Sequence, residues 1–332
     1  MLLFSDALFL LFAALVADAL IGDPDLLWRR WPHPVVLIGR FIGFLDRTLN
    51  RDGLPQERRK RRGVVALVAL VAIGFGLGYA IEHAARLLPF GQILTVAVAA
   101  VFLAQKSLYQ HIAAVRDGLL TDGLAGGRKA VAMIVGRDPQ TLDEAGVSRA
   151  SIESCAENFS DGVVAPAFWF AVLGLPGLIA YKAVNTADSM IGHKTERHQA
   201  FGWASARFDD LVNLPASRLS GLLIVLVAPL AGGSPLTALR TILRDARKHR
   251  SPNAGWPEAA MAGALDIALA GPRSYPGYTV EDPFLNASGR TSVTAQDISR
   301  ALNLLKGSCL LLALFVLLLA AAIAAVNGTA VF

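Results

Sequence analysis

The 332 residues are 54% hydrophobic and only 17% charged, with a mean hydropathy of +0.48. A soluble chain carries charge on nearer a quarter of its residues, so this composition excludes an ordinary soluble protein and implies a polytopic membrane protein with sizeable polar loops. The formal net charge of +5 marks cytoplasmic loops in such a chain; no basic run is interleaved with aromatics, so no nucleic-acid partner is expected.

Residues 2–21 are an apolar stretch interrupted by Asp6 and Asp18. No basic charge precedes it, so it reads as an uncleaved hydrophobic helix rather than a signal peptide. Residues 22–63 read as a polar loop whose arginines, Arg58, Arg59, Arg61 and Arg62 above all, place it in the cytoplasm. Within it Trp31-Pro32-His33-Pro34 is a stiff turn suited to positioning His33. Residues 64–81 and 91–104 form an apolar helical hairpin, and Gly74, Gly76 and Gly78 allow close helix approach.

Residues 105–162 are soluble in character. Thr141 and Glu144 have capping-box spacing, predicting a helix from there towards Asn158. On it Glu153 and Glu157 lie one turn apart, with Asp161 just beyond. Residues 163–180 are apolar but broken by Pro166, Gly174, Pro176 and Gly177. Residues 219–231 are apolar yet short for a full span. Ser234-Pro235 opens an amphipathic basic helix. Pro257 suits the start of an alanine-rich helix to about Ala270. Residues 272–293 are a loop, and Thr294 with Asp297 starts the last helix, spanning at 308–326. Cys155 and Cys309 show no metal spacing. No internal repeat, low-complexity tract or interdomain linker is visible. The expectation is an all-α integral membrane protein with about four to six hydrophobic helices, some broken or re-entrant. It forms one domain over 1–332, with polar loops at 22–63, 105–162, 181–218 and 232–307.

The densest polarity falls between two apolar runs, in 181–215. Lys182, Asn185, Asp188, His193, Lys194, Glu196, Arg197, Arg207, Asp209 and Asp210 crowd there. Groups of this kind near membrane depth mark functional sites more often than solvated loops. With Glu153–Asp161 and His249–Glu258 they make three polar clusters. Carboxylates beside Lys, Arg and Gly suit phosphate and divalent-metal chemistry. No Walker loop, Rossmann fingerprint or zinc spacing is present. If the runs flanking 181–218 both cross, the clusters face opposite sides, so convergence at one site requires broken or re-entrant helices.

Gly22-Asp23-Pro24, HPVVLIGR from His33, ESCAENFSDGVVAPAFW from Glu153, the stretch from Tyr181 to Leu219 and SPNAGWPEAAMAGAL from Ser251 together resemble the CobD/CbiB family, the adenosylcobinamide-phosphate synthases. The resemblance runs over nearly the whole chain, and the long stretches are highly specific. The departures are His198, where an aromatic residue is expected, and Phe159, where a small polar one is.

The resemblance implies a multi-span bacterial inner-membrane enzyme of cobalamin biosynthesis whose active site is reached from the cytoplasm. Its expected reaction is ATP-dependent amide ligation of (R)-1-amino-2-propanol phosphate, or the free amino alcohol, to adenosylcobyric acid. ATP and Mg²⁺ are then expected, with the corrinoid as substrate. The lipid bilayer and other membrane-associated enzymes of the pathway are the expected partners. On this reading Asp188, Asp209 and Asp210 are metal candidates. Lys182, Asn185, Lys194, Arg197 and Arg207 hold phosphates or substrate, completed by His33, Asn253 and Glu258. Glu153, Glu157 and Asp161 orient or deprotonate the amine, with His193 as an alternative base. The rival reading is a transporter or corrinoid-binding scaffold without ligase activity, since transporters also place charges between broken helices.

Overall fold

The computed structural model describes residues 4–24, 28–136, 138–275 and 278–329. It is 77% helical with only fragments of strand, an all-α fold. In chain order the helices are α1 (Phe4–Leu20), α2 (Pro34–Leu49), α3 (Gln56–Leu87), α4 (Gly91–Phe102), α5 (Gln105–Val131), α6 (Glu144–Phe159), α7 (Ala165–Ile191), α8 (Trp203–Val212), α9 (Leu214–Val227), α10 (Pro235–Asp245), α11 (Gly255–Leu265) and α12 (Ala295–Thr329). Among the described residues five stretches are long and apolar enough to cross a membrane: Gln56–Leu87, Gly91–Val131, Glu144–Ile191, Leu214–Ala231 and Ala295–Asn327. This is a membrane protein. Its chain divides into two compact units, Met1–Ala104 with Ala165–Asn213 and Leu314–Phe332, and Gln105–Val164 with Leu214–Ala313.

In the first unit α3 is the central strut. It buries Ala66, Leu67, Leu70, Gly74 and Gly78, and turns Val64, Val65, Val68, Ile73, Phe75 and Leu77 outward. A helix apolar on its outward face is solvated by lipid rather than water. Ile42, Leu45, Ala66, Leu70, Ala187, Ile191 and Phe201 form one core cluster that ties α2, α3, the end of α7 and the following loop together. The 22–63 stretch is therefore not simply a loop. Pro34 stands in the first turn of α2 and the His33 side chain caps it, accepting from the Val35 N–H at 3.2 Å. Ile38, Phe41, Ile42, Leu45 and Leu49 then give a helical stripe.

The glycines of α3 are not equivalent. A β-carbon at Gly78 would meet Pro176 backbone atoms at 2.5 Å, and one at Gly74 would meet Ala180 Cα at 3.1 Å, whereas Gly76 faces open space. Gly74 and Gly78 are thus a small-xxx-small seam against α7. Gly78→Ala should lower thermal stability in detergent by about 2 kcal/mol through overpacking. Gly76→Ala should leave it unchanged, or raise it by up to about 1 kcal/mol as the better helix former. Equal melting shifts for the two variants would refute this seam.

Two of the long stretches are not single rods. Gly123 (φ 62, ψ −150) interrupts α5, and Gly174 (φ 66, ψ −154) interrupts α7. A β-carbon at Gly118 would lie 2.8 Å from the Gly126 carbonyl oxygen, and one at Gly177 would lie 2.5 Å from that of Trp169. Residues eight apart in a continuous helix are separated by about 12 Å, so the chain doubles back at both glycines. The corners share a Gly-Leu-x-Gly sequence, Gly123-Leu124-Ala125-Gly126 and Gly174-Leu175-Pro176-Gly177. That is a short repeat which a search for long periodicities passes over. α4 also stops early, because Leu103 is extended (ψ 152).

In the second unit Asp143, not Thr141, caps α6, accepting from the Gly146 N–H at 2.7 Å; Thr141 ends a preceding 3₁₀ turn. Ser234 and Pro235 start α10, and Thr294 with Asp297 starts α12, as the sequence predicts. α11 ends at Leu265 rather than near Ala270, because Asp266 turns left-handed (φ 54). The 272–293 loop contains strand fragments: Phe284–Leu285 pairs antiparallel with Leu269–Ala270 just before the loop, and Arg273–Tyr275 pairs with Tyr278–Val280. Asp245 knots this unit. Its buried carboxylate accepts from Arg244, from Lys248 at 2.7 Å and from the Asn286 N–H at 2.8 Å. Burial alone would raise its pKa, but these donors hold it at about 2.

Candidate functional site

The first unit gathers the polar stretch at one end of α3. After Gly174 the second half of α7 runs back along α3, presenting Tyr181, Lys182, Asn185 and Asp188 at helical spacing. Asp188 folds its carboxylate over Gly192, into the space a side chain there would fill. The next loop is fixed to α2 and α3. The Phe201 backbone presses on Gly63. The Arg197 carbonyl accepts from Asn50 at 3.0 Å and from Arg59. Lys60 lies 4.0 Å over the Trp203 ring. The loop therefore sits at the Arg58–Arg62 end of α3.

α8 then places Asp209 among these groups, 7% exposed. Its carboxylate accepts from Asn213 Nδ2 at 3.0 Å and, at a long 3.4 Å, from Asn185 Nδ2. The Tyr181 hydroxyl donates to Asn213 Oδ1 at 2.9 Å and so orients that amide. Burial first, and the Asp188 charge second, push the Asp209 carboxyl up to about 7 against its two amide donors, with Asp210 adding repulsion. Asp210 is also raised, by burial, with Arg207 at 3.9 Å partly offsetting it. Three carboxylates thus stand close enough for the charges of Asp188 and Asp210 to act on Asp209, with Arg207 beside Asp210 offsetting part of the repulsion. A cluster of this kind is electrostatically suited to a cation.

Other predicted residues have defined partners. Arg197 donates to Asp46 from Nε at 3.2 Å and Nη2 at 3.1 Å. Burial opposes ionisation of Asp46, but the hydrogen bonds of Asn50 and Arg197 prevail and lower its pKa. Arg197 is in this way a clamp that holds the loop. His33, besides capping α2, reaches Asp23 Oδ1 at 3.4 Å and stacks edge-on against Trp28. His193, Lys194 and Glu196 are exposed on the loop. Neither Asp46 nor Tyr181 and Asn213 were singled out by sequence reasoning. The signal was present for Asn213, one helical turn beyond Asp209.

The remaining candidates belong to the second unit. Glu153, buried on α6, accepts from the Ala270 N–H at 2.9 Å where the backbone turns left-handed (φ 57). Glu157 is exposed, and Asp161 lies in a π-helical segment, Ser160–Val164. π-bulges recur at functional positions. Glu258, 2% exposed, faces His249 Nε2 at 3.6 Å, while His249 Nδ1 accepts from the Ser251 N–H at 3.1 Å. That bond fixes the tautomer with the proton on Nε2, aimed at Glu258. Asn253 Oδ1 accepts from Ser217 at 3.0 Å and from Arg218 at 2.9 Å. Arg218 and Trp256 were also not singled out, although both lie in the quoted motifs; His249 opens the third polar cluster of the sequence.

Among the described residues no three His, Cys, Asp or Glu side chains form a ready-made metal cage. The carboxylates of α7 and α8 suit an ion that takes one or two protein ligands and completes its shell with phosphate oxygens and water, as Mg²⁺ does.

A family model described as CobD/Cbib protein matches residues 11–305. The chain is 56% identical over 316 residues to the cobalamin biosynthesis protein CobD of Sinorhizobium sp, covering 94% of this chain and 98% of the relative. It is 53% identical to that of Rhizobium meliloti (strain 1021), covering 92% and 94%, and 47% identical to that of Rhodobacter capsulatus, covering 89% and 91%. No solved structure matches. Matched over most of its length by the family model and by relatives at such identities, the chain belongs to the CobD/CbiB family.

Proposed function

We propose that this protein is a cobalamin-biosynthesis ligase that joins adenosylcobyric acid to (R)-1-amino-2-propanol phosphate, or to the free amino alcohol, with ATP as the energy source. The observation that carries this reading beyond the family's name is the carboxylate cluster of Asp188, Asp209 and Asp210, with Lys182, Lys194 and Arg207 in the same stretch. A carboxylic acid does not accept an amine at neutral pH until it is activated, and phosphoryl transfer from ATP is a direct route. Mg²⁺, when bound, would neutralise phosphate charge. Asp188 and Asp209 are the residues to hold it, with Asp210 beside them. Asn185 and Asn213 keep the Asp209 carboxylate turned inward. Lys194 and Arg207 bind phosphate oxygens, and Lys182 supports the same charge.

The test is turnover by purified protein given adenosylcobyric acid, ATP and each amine in turn. Corrinoid amidation coupled to ADP or AMP release supports the ligase, and the nucleotide shows how ATP is cleaved. Corrinoid binding without turnover supports a transporter or scaffold instead.

Sidedness follows from the positive-inside rule. The loop after α7 sits at the basic end of α3, so on this reading it is cytoplasmic, in an inner membrane, and within reach of ATP. In a background with Cys155 and Cys309 replaced, Glu196→Cys should react with an impermeant maleimide only in inverted vesicles. Reaction in intact spheroplasts would overturn the orientation.

A further inference from the structure

We propose that Arg218, held by Asn253 and Ser217 and stacked on Trp256, is a binding site for a phosphate group in the second unit. Arg218 lies one turn into α9 and is half-buried. Its Nη1 donates to Ser217 Oγ at 2.9 Å and Asn253 Oδ1 at 2.9 Å. Its guanidinium lies 4.6 Å over the Trp256 ring. Both acceptors are neutral, and among the described residues no carboxylate lies within ion-pair distance of it. Five N–H donors are available on a guanidinium, and among the described residues only Nη1 is engaged.

This placement is unfavourable unless an anion completes it. Helical side chains lean towards the N-terminus, so the guanidinium lies towards the positive end of the α9 dipole, where a cation is repelled. It also stands in a segment apolar enough to cross a membrane, where an uncompensated charge is costly and marks function. Yet the group is built in rather than free. Asn253 is buried, and Ser251 Oγ fixes its loop by accepting from the N–H groups of Asn253 at 3.2 Å and Ala254 at 3.1 Å. A β-carbon at Gly221, one turn beyond Arg218, would meet the Trp256 carbonyl oxygen at 3.3 Å, so α9 and α11 are in close contact here. Stacking on Trp256 orients the plane of the fork and leaves Nε and Nη2 as a pair of parallel donors. Such a pair matches two oxygens of a phosphate.

The phosphate has two possible sources, a soluble phosphomonoester such as the amino alcohol phosphate or a lipid headgroup, and the recognition chemistry is the same. The soluble case extends the ligase reading, but the test does not depend on turnover. Full-length protein in dodecyl maltoside, free of phospholipid, is titrated calorimetrically with inorganic phosphate and with (R)-1-amino-2-propanol phosphate. The same protein in nanodiscs is compared with and without anionic lipid. Arg218→Gln should weaken whichever ligand binds at least 10-fold, Arg218→Lys nearly as much because the fork is lost, and Trp256→Phe about 3-fold. Loss in the detergent titration assigns a soluble phosphate, and loss only of the anionic-lipid effect assigns a headgroup. Unchanged binding of both by Arg218→Gln, with its melting temperature unchanged, overturns the site. Lost phosphate binding in a protein whose wild type shows no amidation would leave this site standing and sink the ligase alone.

Discussion

Asp209→Asn should reduce the proposed ligation at least 10³-fold and yet make the protein more stable at alkaline pH. The two effects share one cause. Asp209 has a folded-state pKa of about 7 against an ordinary value of 3.8, chiefly from burial and then from the Asp188 charge. A carboxyl whose pKa rises on folding costs the folded state nothing well below 3.8. The cost grows as pH climbs from about 4 to 7 and is constant above that. It amounts to a few kcal/mol. With divalent ions chelated, the stability gain of Asp209→Asn over wild type should therefore be small at pH 4.5 and largest at pH 8. A residue that costs stability while facing like charges is kept for function. Thermal scans at the two pH values, beside the amidation assay, check both halves. A variant less stable than wild type at pH 8 would show instead that the carboxylate is structural.

Gly174→Ala should cost about 3 kcal/mol, a drop of several degrees in melting temperature, and abolish activity with it. Its dihedrals (φ 66, ψ −154) lie in a region that is essentially glycine's own. A β-carbon there would also lie 2.6 Å from Glu82 Oε2. The side chain of Glu82 is flexible, so Glu82→Ala in the same background should recover the steric part and not the backbone part. Gly123→Ala has the same dihedral problem but no neighbour within 4 Å, and should cost about 1–2 kcal/mol. Wild-type stability in Gly174→Ala would show that the corner tolerates a side chain.

What could be read from the sequence divides along physical lines. Composition and hydropathy report the solvent of each segment, so the membrane class and helical fold were legible. So were residues 181–215 as the polar centre, because charge set in an apolar chain is a local signal. The closure of α7 on α3 was half legible: three glycines in α3 suggested close approach, but only packing tells Gly74 and Gly78 from Gly76. α2 was missed because its charged neighbours lower the mean hydropathy of the window, although Pro34 and the stripe from Ile38 to Leu49 were there. Asp46 was missed because its partners, Arg197 and His198, are 151 and 152 positions away, and a single sequence carries no record of such pairing.

The corner at Gly174 also changes how the chain must be counted across the bilayer. By length and composition Glu144–Ile191 is one apolar run, and a hydropathy count gives it one crossing. The reversal converts the run into an outward leg and a return leg. From Gly63, level with Phe201, to Glu82, level with Gly174, is about 28 Å along α3 at 1.5 Å per residue, close to the thickness of a hydrocarbon core. The return leg is therefore long enough for a full crossing, one that a hydropathy count of the run leaves out. An added crossing moves the loop that follows it to the other side of the bilayer. In this chain one glycine, rather than any difference in hydrophobicity, thus decides on which side the loop after α7 emerges.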